Sequence, residues 1–146
     1  MMHDHVAELE IPPRNDYLAV ARRFVAATVA VGTGLEPQRL TNLQVAVSEA
    51  CTNAINAHRA RGVEDAIAIR CAVSSRQVEV TISDHGGGFD PDTDIELPAP
   101  EDPRRLEFEH GLGLRLMRSL TDRLEIHTSA IGTAVHVVMM AAAPGR

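Results

Sequence analysis

The order of helical and strand-like segments is the feature that most constrains the fold of this 146-residue chain. The longest helical segment runs from Pro37 to Gly62, residue types that helices prefer at their first turn and just past their end. Two further helical segments cover residues 15–31 and 111–122. Alternation typical of strands is found in residues 6–11, 66–73, 77–83, 123–129 and 134–140. This order predicts an α+β fold, a two-layer α/β sandwich whose mixed, mainly antiparallel sheet is covered on one face by helices.

The stretch from residue 84 to residue 110 is the least regular part of the chain. It is rich in Pro, Asp and Glu and shows no helix or strand period. Connections longer than about 12 to 15 residues inside a compact domain are usually functional lids or disordered segments. We expect one domain over residues 1–146, with residues 92–110 as a lid loop.

The charged residues exclude several classes of protein. Fourteen basic residues against twenty acidic ones give a net charge of −6, which argues against direct binding to nucleic acid. All fourteen basic residues are Arg. The absence of Lys excludes a P-loop and a eukaryotic-type kinase, since both need a lysine that contacts the phosphates. A nucleotide would have to be held by backbone amides, a metal ion or arginine.

Apolar patterning and cysteine usage bear on the compartment. The longest apolar stretches are shorter than the roughly 20 residues of a membrane-spanning helix, and the first ten residues lack the features of a signal peptide. We therefore expect a cytoplasmic protein that does not bind membranes. Cys51 and Cys71 form no CxxC pair and lie in apolar segments, which favours buried free thiols over a disulfide or a zinc site.

A carboxylate and an amide share one face of the longest predicted helix. Glu49 and Asn53 are four residues apart, so their side chains lie one turn from each other. By itself such a pair is often an exposed polar stripe. Here the segment VAVSEACTNAI is otherwise small and apolar, which indicates that the face packs against the sheet. Hard oxygen ligands of this kind suit Mg²⁺, which shares substrate phosphates, and Glu49 is a candidate base.

Glycines cluster at two other places. The segment DHGGGFDP (84–91) reads either as an ordinary surface turn or as a place where a flat ring or a phosphate approaches the backbone. Asp84, at a strand end, is suited to accept a hydrogen bond from an exocyclic amine. The segment HGLGL (110–114) puts Gly111 and Gly113 at a helix N-terminus, where free amides and the helix dipole favour an anion.

The four segments SEACTNAI, DHGGGFDP, HGLGL and the late GT resemble, in this order, the N, G1, G2 and G3 boxes of the GHKL ATPase superfamily, whose ATP site is the Bergerat (histidine-kinase-like ATPase) fold. The compact length and the segment VSEACTNA are most similar to the bacterial anti-sigma-factor serine kinases of the RsbW and SpoIIAB type. The resemblance covers roughly residues 6–140. It implies ATP and Mg²⁺ as cofactors.

At the phosphate end of the site, the resemblance implies four roles. Glu49 would be the general base that orients or activates the attacking hydroxyl, and Asn53 would bind the Mg²⁺ that bridges the triphosphate. Gly111 and Gly113 would cap the phosphates as part of the lid. The lid contains no lysine, so Arg104 or Arg105 is the available phosphate-binding cation, unless both are solvated surface charges.

At the adenine end, the resemblance implies that Asp84 binds the amino group of the base. Gly86 and Gly88 would form the floor beneath the ring, and Thr133 would complete the pocket beside Asp84. The close approach of adenine would then explain the glycines of DHGGGFDP.

The sequence also departs from the pattern of these kinases. Relatives of this type often have a histidine four residues beyond the metal-binding Asn, whereas here Ala57 occupies that position and His58 follows it. The neighbouring Asn56 either supplements the metal site or faces solvent. On the first helix, Arg22 and Arg23 are either an exposed basic pair that anchors an acidic partner or a solvated pair.

The resemblance implies an ATP-dependent protein serine/threonine kinase that regulates transcription, as in a stress response. Its partners would be a sigma factor, which it sequesters, and an anti-anti-sigma protein with a STAS domain, which it phosphorylates. Relatives of this type commonly form homodimers. Two alternatives stay open: an ATP-binding regulatory module without significant kinase activity, and a detached histidine-kinase-like ATP-binding domain.

Overall fold

The structure is a computed structural model that describes residues 5–32, 34–86 and 110–141. The helices are Leu18–Gly32 (α1), Pro37–Arg61 (α2) and His110–Leu120 (α3). The strands are His5–Ile11 (β1), Ile67–Val73 (β2), Gln77–Ser83 (β3), Arg123–Thr128 (β4) and Thr133–Met140 (β5). A 3₁₀ turn, Asn15–Tyr17, precedes α1. Every predicted element is present, and the boundaries differ by only a few residues.

The strands form one five-stranded sheet in the order β1-β2-β3-β5-β4. All four pairings in the described residues are antiparallel. Two of them are hairpins between consecutive strands, β2 with β3 and β4 with β5. The sheet is thus antiparallel where the structure describes it.

In the turn of the first hairpin, the hydroxyl of the buried Ser74 accepts hydrogen bonds from the backbone N–H groups of Arg76 and Gln77, both at 3.2 Å.

The core lies between one face of the sheet and the three helices. On the central strand β3, alternate residues Val78, Val80 and Ile82 are buried, as expected for a sheet covered on one face. The buried side chains of the helices complete this core and include Ala21, Val25 and Val29 of α1, Leu43, Ala46, Val47 and Ile55 of α2, and Met117 of α3. The predicted two-layer arrangement is therefore confirmed, with one layer of helices over one face of the sheet.

Some apolar side chains of two helices are exposed. On α1, Val20 and Val31 are 39% and 69% exposed, because the buried line runs through the residues Ala21, Val25 and Val29. On α3, Leu116 is 39% exposed, while the adjacent Met117 is fully buried. Both helices carry apolar residues on adjacent faces, and only packing decides which face turns inward.

Helix α2 has the termini that the sequence predicts. Pro37 stands in the first turn, and Gly62 at the C-terminal end has a φ of 66°, the left-handed conformation that glycine adopts without strain. The backbone N–H of Val63 then donates to the carbonyl of His58 at 2.8 Å. This cap fixes the end of the helix just ahead of β2, which keeps the side chains of its last turns in place.

The other end of α2 is tied to the last strand. Arg39 donates from Nε to the carbonyl oxygen of Met140 at 2.9 Å and forms an ion pair with the carboxylate of Asp122. That carboxylate also accepts the backbone N–H of Met140 at 2.6 Å. Because Asp122 follows α3 directly, this network holds α2, the end of α3 and β5 together.

Candidate functional site

Three residues at intervals of four line one side of α2: Glu49, Asn53 and Ala57, here called the α2 stripe. The side chains of Glu49 and Asn53 are partly buried. Within the described residues, neither side chain takes part in a hydrogen bond or an ion pair. A carboxylate and an amide one turn apart, whose oxygens have no partner in the described part of the chain, can hold a cation or position a polar substrate group.

The end of the α2 stripe that carries Glu49 faces the first turn of α3. A Cβ at Gly113 would lie 2.8 Å from Oε2 of Glu49. The side-chain carboxylate therefore occupies the space that any other residue at 113 would fill. Gly113 belongs to the first turn of the helix that begins at His110, so the N-terminal end of α3 lies at this end of the stripe. The segments SEACTNAI and HGLGL therefore meet here, as the family resemblance implies.

The end of the stripe that carries Ala57 contacts the loop that follows β3. A Cβ at Gly86 would lie 2.8 Å from the Cβ of Ala57 and 3.2 Å from its carbonyl carbon. The loop can approach α2 this closely only because residue 57 is small and residue 86 has no side chain. Asn53 thus lies midway between two glycine-bearing segments.

Asp84 is fixed by its neighbours through one carboxylate oxygen. Oδ1 accepts the backbone N–H of Gly86 at 2.9 Å and that of Thr133 at 3.3 Å. The backbone N–H of Asp84 donates to the carbonyl oxygen of Thr133 at 2.9 Å. In the described part of the chain, nothing donates to Oδ2. Oδ1 therefore holds the loop, and Oδ2 has no donor among these residues.

Thr133 lies beside Asp84, and the glycine before it is essential to that contact. A Cβ at Gly132 would overlap the carbonyl oxygen of Asp84 and would lie 3.0 Å from the Cα of His85. Thr133 shares the face of β5 on which Val135 and Val137 are buried, so its side chain lies on the helical side of the sheet. Gly132, the first residue of the dipeptide GT, therefore allows Thr133 to lie beside Asp84.

His58 takes a part that the sequence did not predict. It is completely buried, and its Nε2 accepts the backbone N–H of His85 at 2.8 Å. Its Nδ1 lies 3.0 Å from the carbonyl oxygen of Asp65. His58, which stands one position later than the histidine of related kinases, therefore contacts the loop after β3 by accepting a hydrogen bond from the loop backbone.

Several predicted site residues lie outside the described residues. These are Gly88, Arg104, Arg105 and nearly all of the expected lid, residues 92–109. Asn56 is described and partly buried, and it has no hydrogen-bonding partner among the described residues.

The two arginines of α1 are not an exposed pair. Arg22 is partly buried and donates from Nη1 to the hydroxyl of Ser48 at 3.2 Å, while its carbonyl accepts the side-chain amide of Gln44 at 3.0 Å. Arg23 is exposed. Arg22 therefore joins α1 to the residue just before Glu49, and only Arg23 presents a solvated charge.

An open cavity of about 300 Å³ lies beside Asp84 at the ends of β3, β4 and β5. It is lined in part by Ser83, His127 and Ala134, which lie on the face of the sheet away from the helices. None of the α2 stripe residues lines it. A ligand that contacts both Asp84 and Asn53 would have to lie on the helical side instead.

The described residues contain no cluster of three or more His, Cys, Asp or Glu side chains that could enclose a metal ion. A cation at the α2 stripe would therefore take most of its ligands from a bound substrate and water, as Mg²⁺ usually does.

Both cysteines are buried free thiols, as expected, and burial raises the pKa of Cys51 and of Cys71 to about 12. None of the helices in the described residues has the length and apolar character to span a membrane.

Comparison with known proteins identifies the relatives of the chain. Residues 11–139 match the family model of the histidine kinase-like ATPase domain. The chain is 33% identical over 128 residues to serine-protein kinase RsbW of Bacillus pumilus, an alignment that covers 84% of this chain and 78% of the relative. It is 30% identical over 131 residues to RsbW of Listeria monocytogenes, with 86% and 81% of the two chains covered.

Solved structures agree on the fold. A crystal structure of the RsbU and RsbW domains of a Mycobacterium tuberculosis protein superposes with a TM-score of 0.66 at 16% sequence identity. The superposition covers 92% of this chain and 31% of that longer chain. The predicted α+β sandwich of the histidine-kinase-like ATPase type is confirmed.

Proposed function

The chain belongs to the histidine kinase-like ATPase family, and from that premise we propose that it transfers the γ-phosphoryl group of ATP to a serine or threonine of an anti-anti-sigma protein with a STAS domain. Its curated relatives are named serine-protein kinases, which supports protein serine kinase activity in this chain. The proposal includes sequestration of a sigma factor in the cytoplasm and assembly as a homodimer. A single observation carries its chemistry, namely the convergence of the α2 stripe and the first turn of α3.

The phosphate end of the proposed site is the region between Asn53 and the start of α3. Free backbone amides and the helix dipole at the N-terminus of α3 favour a phosphate group. Gly111 would let that group approach the backbone, whereas Gly113 leaves room for the carboxylate of Glu49. A hydroxyl that attacks a phosphate held here would come within the range of the Glu49 carboxylate.

The adenine end of the proposed site is the loop after β3. Oδ2 of Asp84, to which no donor in residues 5–32, 34–86 and 110–141 bonds, would accept a hydrogen bond from the exocyclic amino group of adenine. Gly86 would lie beneath the ring, and Thr133 would close the pocket beside it. The geometry of the carboxylate supports this role, because the bonds to Gly86 and Thr133 go to Oδ1 and do not require Oδ2.

The residues present fit a magnesium ion. Asn53 and Glu49 offer hard oxygens without partners in the described residues, and small residues surround them on α2. When bound, Mg²⁺ would neutralise negative charge on the phosphates during transfer. Asn53 is the residue that would hold the ion.

Glu49 would act on the acceptor rather than on the nucleotide. As the substrate oxygen bonds to the γ-phosphorus and the bond from that phosphorus to the β-γ bridging oxygen breaks, the hydroxyl proton passes to the carboxylate. ADP leaves with the bridging oxygen. Phosphoryl transfer of this kind requires mainly positioning and charge stabilisation, with little covalent work by the protein.

The two protein partners of the proposal are supported by the resemblance of the four sequence segments to the anti-sigma-factor kinases. A direct test is to incubate the purified chain with labelled ATP, Mg²⁺ and each STAS-domain protein encoded in the same genome. We expect one of these proteins to gain label on a serine or threonine. A matched reaction with Glu49→Gln, which keeps the shape but removes the proton acceptor, should give no label.

The outcomes separate the functions. Label on a STAS protein with the wild type and none with a folded Glu49→Gln variant supports the kinase. Equal labelling by both proteins would reject Glu49 as the base. Tight ATP-dependent capture of a sigma factor, with no transfer to any antagonist, would reject the kinase and favour a regulatory ATP-binding module.

A further inference from the structure

His58 is held in one protonation form by two backbone groups. Its Nε2 faces the backbone N–H of His85 at 2.8 Å, and its Nδ1 faces the carbonyl oxygen of Asp65 at 3.0 Å. A backbone N–H can only donate and a carbonyl oxygen can only accept. The partners therefore assign the neutral ring with its proton on Nδ1. This side chain is completely buried on the inner side of α2.

Through these two bonds the ring connects three parts of the site region. His58 belongs to the last turns of α2, Asp65 lies in the connection to β2, and His85 stands between Asp84 and Gly86. The segment from Asp84 to Gly86 is thereby bonded to the helix that carries Asn53. The bond is to backbone, so it fixes the path of the loop.

The neighbouring position explains why the polar contact comes from residue 58. Ala57 and Gly86 meet so closely that a Cβ at residue 86 would lie 2.8 Å from the Cβ of Ala57. Van der Waals contact at Ala57 sets the distance between the loop and α2, but it gives no direction. The adjacent His58 supplies the directional bond, because its acceptor nitrogen faces the N–H of His85.

We propose that His58 is a positioning residue for nucleotide binding, which holds the loop of Asp84 at a fixed spacing from Asn53. This inference rests on the proposed function, in which Asp84 binds the base and Asn53 the metal ion of one nucleotide. The ring does not touch the ligand. It keeps the adenine-binding end and the phosphate-binding end of the site at the spacing that a single bound nucleotide requires.

The test compares two substitutions with opposite hydrogen-bonding ability. In His58→Gln the amide oxygen can take the place of Nε2 as the acceptor for His85, whereas His58→Leu fills similar space and leaves that N–H unpaired. ADP with Mg²⁺ is titrated calorimetrically, together with Mg·tripolyphosphate as a probe of the phosphate end alone. We expect His58→Leu to raise the Kd of ADP roughly tenfold to a hundredfold, to leave tripolyphosphate binding unchanged, and His58→Gln to restore most of the affinity.

A matched control is His136→Leu. Like His58 this residue is hydrogen-bonded, with its Nδ1 3.0 Å from the hydroxyl of Thr81, but it is only partly buried and lies on the sheet away from the α2 stripe. It should lower the melting temperature without changing ADP affinity. Normal ADP affinity in folded His58→Leu would overturn the proposal, and so would an equal loss of ADP and tripolyphosphate binding.

A measurement on the unmutated chain covers the case in which His58→Leu does not fold. The ¹⁵N spectrum of the wild type should show His58 with a protonated Nδ1 and an unprotonated Nε2, and the amide of His85 should be protected from hydrogen exchange. A rapidly exchanging His85 amide would overturn the proposal even though ADP binds. Failure of the wild type to bind ADP would instead reject the proposed function itself.

Discussion

The carboxylate of Glu49 lies against Gly113, so close that a Cβ on the glycine would be 2.8 Å from Oε2. The two residues are far apart in the chain, and they meet because α3 packs along α2. A glycine inside a helix lowers its stability by about 0.5 to 1 kcal/mol relative to alanine. At this position the glycine leaves room for the side chain proposed as the base.

Gly113→Ala should therefore separate stability from activity. The substitution favours helix formation, so the free energy of unfolding should stay the same or rise by up to about 1 kcal/mol. The new methyl group would displace the flexible end of Glu49, and transfer of phosphate to the antagonist should fall about tenfold or more. Urea unfolding and phosphate incorporation measure the two effects.

Gly34→Ala is the control for Gly113→Ala, since nothing lies within 4 Å of a Cβ at Gly34. It should change neither unfolding nor transfer. Full transfer activity in Gly113→Ala would show that the position of the Glu49 carboxylate beside α3 does not matter for catalysis.

Asn53→Ala tests the metal end of the site. Alanine is a better helix former than asparagine, and Asn53 has no hydrogen bond to lose within the described residues. The melting temperature should therefore not fall, while the Mg²⁺-dependent part of ATP affinity should decrease along with turnover. Asn42→Ala serves as the control on the same helix, because it removes only an exposed hydrogen bond with Gln38. A lowered melting temperature with unchanged Mg·ATP affinity would identify Asn53 as a structural residue.

The ends of α2 and the shared helix face of Glu49 and Asn53 could be predicted from the sequence because both depend on local chemistry. Pro37 and Gly62 mark the ends of α2 through their backbone preferences, whatever packs around them. Spacing along a helix is equally local, so the shared face of Glu49 and Asn53 follows directly from their separation.

Contacts between distant segments could not be predicted in this way. Val20 and Leu116 fit an apolar helix face by spacing, yet packing turns them outward. Arg22 reads as an exposed charge until α2 brings Ser48 within reach of its guanidinium. His58 looks like a displaced motif residue in the sequence, and its role becomes visible only when the loop after β3 is placed beside it.

Asp84→Asn should change base recognition without unfolding the loop. Its Oδ1 bonds to Gly86 and Thr133 can be kept by the amide oxygen, whereas Oδ2 becomes an amino group that donates. ATP affinity should fall by about 1 to 3 kcal/mol, as expected for the loss of a charge-assisted hydrogen bond. ITP, whose base carries an oxygen in place of the amino group, should bind weakly to the wild type and lose less affinity in the variant. Equal binding of ATP and ITP by the wild type would reject the adenine role of Asp84.

Gly132→Ala should disturb the same loop sterically. The added Cβ would overlap the backbone carbonyl oxygen of Asp84, which cannot rotate away as a side chain can. We expect a loss of about 1 to 3 kcal/mol of stability together with weaker ATP binding. Gly32→Ala is the comparison, because its Cβ would clash with the side chain of Val73, at the end of the sheet opposite to Asp84. If both variants lost stability but kept normal ATP affinity, the contact of Gly132 with Asp84 would have no part in binding.

The two buried thiols predict a decrease of stability in alkaline solution. Burial raises the pKa of Cys51 and of Cys71 from 9.0 to about 12 in the folded chain, whereas both ionise near the ordinary value once the chain unfolds. Below pH 9.0 the folded and unfolded states hold the same thiol protons, so these groups cause no pH dependence there. Between pH 9.0 and about 12 the unfolded state has lost protons that the folded state keeps, and the free energy of unfolding must fall as the pH rises.

Urea unfolding of the wild type from about pH 7 to about pH 10.5 measures this decrease. The double variant Cys51→Ala/Cys71→Ala is the control, since it keeps every other titrating group. It should be less stable throughout, because two buried side chains are shortened, but its stability should fall less steeply above pH 9. In the folded wild type, both thiols should also react with a disulfide reagent far more slowly than in urea, because the thiolate is the reactive form. Identical slopes for the wild type and the double variant would contradict the raised thiol pKa values.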